Sequence, residues 1–345
     1  MRVAVVTSAP LFVEGGHLVI ARALVQALRN EGHDASMLLT PQNRFGRQGA
    51  AYAATWFTDV GMADGKAVDR VISLRYPSYA VRHPNHVVWL NHTMREYYDQ
   101  WESFSGTLSR KARIKEGVRR AFIHAADRYL LTKNVRKVYA QSRTIAARLQ
   151  RWGAIPSQVL YPPPPPRAYR CDSYGDYIFA VSRLAPLKRL SLLVEALATP
   201  EAGGIRAIIA GEGEEHNALA QKIADTGLSS RVTLLGRIDD NEMLDHLARC
   251  RAVCFPPYDE DYGFVTAEAF ASRKAVVTCS DSGGPAELVV HDVNGKVCAP
   301  RAQSLATALR ELMDDRSTAE RLGSAGFLTV SEMTWPRAVA QLLTT

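Results

Sequence analysis

Glu260 and Glu268, with seven residues between them, are the two side chains best suited to hold a polyhydroxylated ligand. They lie in the stretch FPPYDEDYGFVTAEAFASRKAVVTCSDSGGPAEL, Phe255 to Leu288. A carboxylate accepts from two neighbouring hydroxyls at once, so one glutamate can meet a ligand's reacting end and the other its far end. Between them Gly263 lets the backbone approach a ligand closely, and the amides opening the helix that follows would face an anion. Arg183 and Lys188 stand five residues apart at a strand-to-helix turn, so both cations could reach one diphosphate. Gly15-Gly16 precedes a helix in the first βα unit, a place where a phosphate can be cradled. Asp259-Glu260-Asp261 also spells a carboxylate pair of the kind that holds a divalent metal beneath a diphosphate.

Glu260-x7-Glu268, the Tyr262-Gly263-Phe264 core and the Gly283-Gly284-Pro285-Ala286-Glu287 turn one strand later together resemble the nucleotide-sugar glycosyltransferases of family 4. The resemblance covers almost the whole second half with specific motifs and the first half more loosely. It implies the GT-B architecture, an α/β fold of two Rossmann-like domains facing each other across a cleft. By the family's pattern Glu260 contacts the transferred sugar and Glu268 the ribose of the nucleotide. Gly263 and Phe264 belong to the same donor-binding core. Arg183 and Lys188 take the phosphates, Arg237 lies near the nucleobase, and Gly16 is a diphosphate contact. His92, at the C-terminal end of a strand, corresponds to a histidine beside the sugar and the acceptor. Arg189 departs from the pattern, standing where the family usually has glycine and crowding the turn that carries Lys188.

The function so implied is retaining transfer of a sugar from a nucleotide diphosphate sugar, with uridine diphosphate glucose the first guess. No metal or other cofactor is required, so the Asp259-Glu260-Asp261 carboxylates are discounted as a metal site. The departing phosphate would be stabilised by Arg183 and Lys188 and would take the acceptor's proton on the same face. Intact charges at Glu260, Glu268, Arg183 and Lys188 argue against a third reading, a non-catalytic nucleotide-sugar binding protein on this fold.

Charge is divided unevenly. Residues 1–170 hold 25 Lys and Arg against 11 Asp and Glu, net +14, and residues 171–345 hold 17 against 24, net −7. Within the basic half, Arg110 to Arg151 contains thirteen basic residues against Glu116 and Asp127. Such a patch attracts a membrane surface, a nucleic acid or an anionic substrate. The favoured acceptor is therefore a lipid-linked saccharide at the inner membrane surface, in polysaccharide or glycolipid synthesis; the alternative is a hydroxymethylated base of phage-type DNA. The absence of a long apolar run or a signal-like N-terminus predicts a cytoplasmic enzyme, peripheral at that surface. Five cysteines without zinc spacing read as reduced and mostly buried, Cys250 and Cys254 as small core residues.

The elements that must position these groups follow from periodicity. Val3–Val6 reads as a first strand, and Leu18, Ala21, Leu24, Val25 and Leu28 as one face of a helix stopped at Gly32-His33. Strands are expected at 36–40, 68–74 and 86–90, with no pattern between Thr40 and Gly65. Residues 94–101, MREYYDQW, are candidates for an acceptor wall, and 112–129 and 136–151 for two basic helices. The prolines 162–166 are a stiff connector and mark the domain boundary. In the second half, strands are expected at 177–181, 206–210, 232–235 and 252–255. Helices are expected over 192–197, 218–225, 241–248, 266–272 and 305–322. Gly295 reads as closing a short loop. The expected domains are 1–165, binding the acceptor, 166–330, binding the nucleotide sugar, and a terminal helix in 331–345 crossing back to the first.

Overall fold

The computed structural model describes residues 1–10, 15–42 and 45–344. The chain divides into two compact units, one from Met1 to Pro165 together with the segment starting at Trp335, the other from Pro166 to Thr334.

The first unit runs β1 (Arg2–Ala9), α1 (Gly16–Asn30), β2 (Asp34–Pro41), α2 (Gln48–Trp56), a short hairpin of β3 (Met62–Ala63) and β4 (Lys66–Ala67), then β5 (Arg70–Ser73) and β6 (His86–Leu90). It continues with α3 (Trp101–Gly106), α4 (Arg110–Lys133), β7 (Lys137–Ala140), α5 (Arg143–Gly153) and β8 (Gln158–Val159). Its six-stranded sheet has the order β2-β1-β5-β6-β7-β8, every pair parallel. β6, HVVWL, is buried at all five positions, as a central strand covered on both faces must be. On α1 the apolar stripe expected from periodicity is buried, and Gly32 ends the helix region with φ +81°. Ser142 opens α5 by accepting from the Ile145 amide at 3.1 Å.

The second unit runs β9 (Tyr177–Val181), α6 (Leu190–Leu197), β10 (Arg206–Ala210), α7 (His216–Asp225), β11 (Val232–Gly236), α8 (Asp240–Arg249) and β12 (Ala252–Cys254). It ends with α9 (Phe264–Ala271), β13 (Ala275–Cys279), α10 (Gly284–Leu288), β14 (Gly295–Cys298), α11 (Ala302–Asp314) and α12 (Arg316–Ser331). Its sheet, order β11-β10-β9-β12-β13-β14, is again wholly parallel. Strand order reverses between β9 and β12, so a crevice opens at their carboxyl ends, where open α/β sheets bind ligands.

α13 (Trp335–Leu343) packs in the first unit. Its Leu342 and Gln341 carbonyls accept from Arg70 Nη1 at 2.9 Å and Tyr139 Oη at 3.0 Å, and the Trp335 ring meets Trp89 edge to face at 6.2 Å.

Several expectations are corrected. The unpatterned segment before Gly65 contains α2 and β3, the first strand of the β3–β4 hairpin; its QGAAYAATW run is alanine-rich, and alanine favours a helix without marking a face. Residues 136–151 are not one basic helix, because Lys137–Ala140 pairs with β6 and β8 as a strand. Residues 305–322 are two helices, broken where Asp315 accepts from the Thr318 amide at 3.1 Å and caps α12. Gly295 both closes the short loop, its carbonyl accepting from Asp292 N at 2.9 Å, and begins a strand: a Cβ there would stand 2.3 Å from the Val276 carbonyl. The aromatics of 94–101 are not an exposed wall, although Tyr98 also lines a pocket of the first unit that includes His92. Tyr97, Tyr98 and Trp101 are buried in the first unit's core, the commoner fate of large apolar rings. All five cysteines are unpaired thiols, with Cys250, Cys254 and Cys279 buried.

Candidate functional site

β9 delivers Arg183 and Lys188 at its carboxyl end. The turn after it is held by backbone contacts from the Gly211-Glu212-Gly213 turn: Leu184 N donates to Glu212 O at 2.8 Å, and a Cβ at Gly213 would lie 2.1 Å from Leu184 O. Arg183 is exposed; its carbonyl accepts from Ala185 N at 3.0 Å, and its guanidinium makes no hydrogen bond or ion pair with any described residue. Lys188 closes a short 3₁₀ turn and its Nζ meets Glu260 Oε2 at 2.6 Å, both side chains less than a fifth exposed. The Lys188 ammonium also lies 5.7 Å from the centre of the Phe255 ring.

Glu260 is held from its backbone. Its N–H donates to Ser282 O at 3.1 Å and its carbonyl accepts from Gly284 N at 2.9 Å, making a one-residue parallel bridge to Gly283. The glycine turn is therefore the seat on which the Glu260 loop rests. Gly283 has φ +65° and ψ −123°, and a Cβ on it would sit 2.4 Å from Glu260 O. A Cβ on Gly284 would sit 2.5 Å from the Tyr262 backbone. Gly263, expected to open the backbone to a ligand, meets the protein itself: its missing Cβ would lie 2.8 Å from Pro285 Cγ and 2.9 Å from Phe255 Cε1. It caps α9 with φ +79°, and Phe264 at the first helical position packs edge to face on Tyr262 at 5.0 Å. Thr266 N is taken by Gly263 O, so the amides of Phe264 and Val265 are those that lie outside the helix ladder.

Arg189, the departure from glycine, adopts φ 48°, ψ 38°, the left-handed conformation a glycine would take without strain. Its guanidinium forms a fork-to-fork pair with Asp281 at 2.8 and 2.6 Å and donates to the Pro256 and Pro257 carbonyls at 2.9 and 2.7 Å. Instead of crowding the turn, it ties the Lys188 turn to the Glu260 loop and to the residue just past β13.

Glu268 is 5% exposed on α9. Its Oε1 contacts Arg167 Nη1 and accepts from Tyr169 Oη at 3.5 Å; Arg167 also reaches Asp240 at 3.0 Å. Burial raises the Glu268 carboxyl above its ordinary value, with Arg167 pulling against it. Arg237 stands exposed just past Gly236, without hydrogen bond or ion pair to a described residue.

In the first unit, Gly16 opens α1 behind Gly15, and since Leu18 N donates to Gly15 O at 2.9 Å, the Gly16 and His17 amides precede the helix ladder. His92 follows β6. Its Nδ1 lies 2.6 Å from Thr93 O, and a carbonyl can only accept, so Nδ1 carries a proton. Beside it the sequence reading missed His17, 9% exposed and with Nε2 lacking a hydrogen-bond partner among the described residues. Burial, then the charges of Arg75 and His92, push the His17 imidazole down to about 3.

Thus Lys188 and Glu260 are brought into contact, Arg183 and Arg237 stand exposed on the same unit, Glu268 is engaged by Arg167, and Gly16 and His92 belong to the other unit. Arg167, Tyr169 and Asp281 were missed. Arg167 follows the proline run directly, which is the one signal that could have flagged it. Among the described residues no group of three or more His, Cys, Asp or Glu could hold a metal ion.

Two wholly parallel sheets, each with its polar groups at strand carboxyl ends, define the GT-B class of two Rossmann-like domains. Residues 169–328, nearly all of the second unit, match the family of glycosyl transferases group 1. In sequence, the chain is 34% identical over 123 residues to the glycogen synthase of Mycobacterium tuberculosis, covering 35% of this chain and 30% of that protein. The curated relatives found are matched over 20% to 46% of their own lengths. Among solved structures, the sucrose-phosphate synthase of Thermosynechococcus elongatus superposes with a TM-score of 0.76 at 16% identity, over 99% of this chain and 96% of that one. HepE of Anabaena, in complex with UDP and glucose, gives 0.72 at 20% identity over 99% of both chains. At these identities the likeness establishes the shared fold. No described helix is long and apolar enough to cross a membrane.

Proposed function

We propose that the protein is a retaining glycosyltransferase of family 4 type that moves a sugar from a nucleotide diphosphate sugar, with UDP-glucose first among donors, to a hydroxyl of an anionic acceptor. The observation that carries this reading is the Lys188–Glu260 pair, 2.6 Å apart at the strand-order reversal of the glycosyl transferases group 1 domain. A cation and a carboxylate so placed exchange partners when donor arrives: Lys188, with exposed Arg183, turns to the diphosphate, and Glu260 to the sugar hydroxyls. Glu268 reaches the ribose with Oε2, since Arg167 and Tyr169 engage Oε1. The bond from the sugar's anomeric carbon to phosphate breaks and one to the acceptor oxygen forms on the same face. The acceptor's proton passes to the departing phosphate oxygen, whose charge the two cations stabilise.

On the acceptor side, the reading is supported by a pocket of the first unit that includes His92. Arg128 brings a cation to it, Arg95 and Arg148 line it while sharing Asp99 at 2.6 and 3.7 Å, Asp127 lies among the lining, and Leu90, Leu131, Ile145 and Leu149 form apolar walls. That lining suits an anionic amphiphile, in keeping with a lipid-linked saccharide. The test is release of nucleoside diphosphate across a panel of nucleotide sugars. Release with one donor, lost in both Lys188→Ala and Glu260→Ala, is expected. Release unchanged in either variant overturns the assignment of the pair, and no release with any donor, with or without vesicles carrying lipid-linked saccharide, overturns the activity.

A further inference from the structure

The helix α4 carries an apolar face that the rest of the protein does not cover. Ile114 is 67% exposed, Val118 70%, Phe122 55% and Tyr129 55%, and Ala121 and Ala125 are exposed between them. At about 100° per residue these six side chains project within one arc of roughly 100°, and from Ile114 to Tyr129 the stripe is about 22 Å long. The opposite face, with Ile123, Asp127, Leu130 and Leu131, is buried in the core. Trp56 at the end of α2 packs beside Tyr129 at 6.4 Å and extends the aromatic surface.

Cations border this stripe. At the same angular spacing Arg110 and Arg128 fall along one edge and Lys115 and Lys133 along the other, all exposed. The helix has two acids, and neither faces the stripe. Glu116 pairs with Arg119 and accepts from Tyr97 Oη at 2.8 Å, and Asp127 is buried beneath three tyrosine hydroxyls. An exposed apolar strip edged by long cationic side chains, with its anions turned inward, matches the boundary between acyl chains and anionic headgroups, where lysine and arginine stems lie along the apolar surface and their charges reach the phosphates. A nucleic acid would be met by cations at the centre of the face, where this helix places Val118 and Phe122.

We propose that α4 is a membrane-docking helix that lies in the surface of an anionic lipid bilayer, inserting Ile114, Val118, Phe122 and Tyr129. Arg128 both borders the stripe and lines the pocket that includes His92, so docking places that pocket at headgroup level. This last step, which makes a membrane lipid the acceptor, rests on the transferase reading; the docking itself does not.

The test is co-sedimentation of the whole protein with phosphatidylcholine vesicles, with and without about a third of phosphatidylglycerol, alongside nucleoside diphosphate release without vesicles. Binding to the anionic vesicles is expected, at least tenfold weaker in Val118→Ser/Phe122→Ser and weakened by salt and by Lys115→Gln/Lys133→Gln. Far-ultraviolet circular dichroism and vesicle-free release should be unchanged in these variants, whose residues lie outside the donor site. Failure of the wild-type protein to sediment, or equal sedimentation of the serine variant, overturns the proposal. So does a monomer–dimer equilibrium abolished by the serine variant, which would make the face an interface between two copies, or binding of duplex DNA in place of vesicles. Vesicle binding with no release from any donor would leave docking standing and remove the transferase reading; release without vesicle binding would do the reverse.

Discussion

Gly283→Ala tests whether the Gly283-Gly284 turn acts by seating Glu260. The added methyl would stand 2.4 Å from Glu260 O and 2.9 Å from Glu260 N, so the loop must retreat by about an ångström to reach ordinary contact distance. The retreat breaks or stretches two hydrogen bonds, Glu260 N to Ser282 O and Gly284 N to Glu260 O, worth about 1 kcal/mol each. The positive φ, with ψ −123° outside the left-handed helical region, adds about 1–3 kcal/mol. The expected loss of stability is therefore about 3–5 kcal/mol. Gly204 provides the control, for its φ is +77° and a Cβ there meets nothing within 4 Å, so Gly204→Ala should cost the backbone term alone. Urea denaturation measures both, and the difference of about 2 kcal/mol isolates the contact with Glu260. Donor turnover should fall about a hundredfold in Gly283→Ala, the effect of an ångström's displacement at a reacting centre, and remain normal in Gly204→Ala. Equal destabilisation by the two substitutions, with turnover unaffected, would refute the argument.

Arg189→Gly should relieve the left-handed strain yet destabilise by about 1–2 kcal/mol net, because the fork to Asp281 and the bonds to two proline carbonyls are worth more than the strain; a more stable variant in thermal denaturation would show the tie to be dispensable. Burial pushes the Asp127 carboxyl up to about 6, while the hydroxyls of Tyr52, Tyr79 and Tyr98 pull against it. A carboxyl raised above its unfolded value stabilises below that value, and the contribution is lost as pH rises from about 4 through 6, by up to about 3 kcal/mol. The stability of the wild-type protein relative to Asp127→Asn should accordingly decline across that window in denaturation curves, and a flat difference would contradict the assignment. Removing Arg167 leaves the buried Glu268 carboxylate with Tyr169 alone, so Glu268 should protonate at higher pH. Nucleotide affinity in Arg167→Ala, followed by calorimetry, should then fall away on acidification earlier than in the wild-type protein, and superimposable pH profiles would exclude that role.

Much of the second unit was legible because its signals are local. Tyr177–Val181 and Arg206–Ala210 are short apolar runs between turns, and buried parallel strands read in just that way. The spacing from Glu260 to Glu268 and the glycine turn after β13 marked the site before any strand was placed. Less was legible where composition hid the period, as in the alanines of α2, or where a cap cut a continuous apolar pattern, as at Asp315. The aromatic run at 94–101 was ambiguous, since a ring written beside polar residues reads alike whether it lines a pocket, as Tyr98 does, or fills a core, as Tyr97 does.

From sequence alone came the α/β class, the strands at whose ends the candidate groups lie, and the candidate cations and carboxylates other than Arg167 and Asp281, since each depends on neighbours a few residues apart. Which of them meet was decided by tertiary structure. Lys188 finds Glu260 72 residues away and Glu268 finds Arg167 101 residues away, partners that periodicity cannot rank. The same holds for the glycines: the sequence marks Gly263 as a place of close approach and Gly283 as part of a turn, and only the packed chain shows that what approaches both is the protein's own backbone and rings. The basic stretch followed the rule too. Its charge was plain in the sequence, but the apolar face of α4 exists only because folding buries the helix's other side, together with Asp127, and leaves Ile114, Val118, Phe122 and Tyr129 outside.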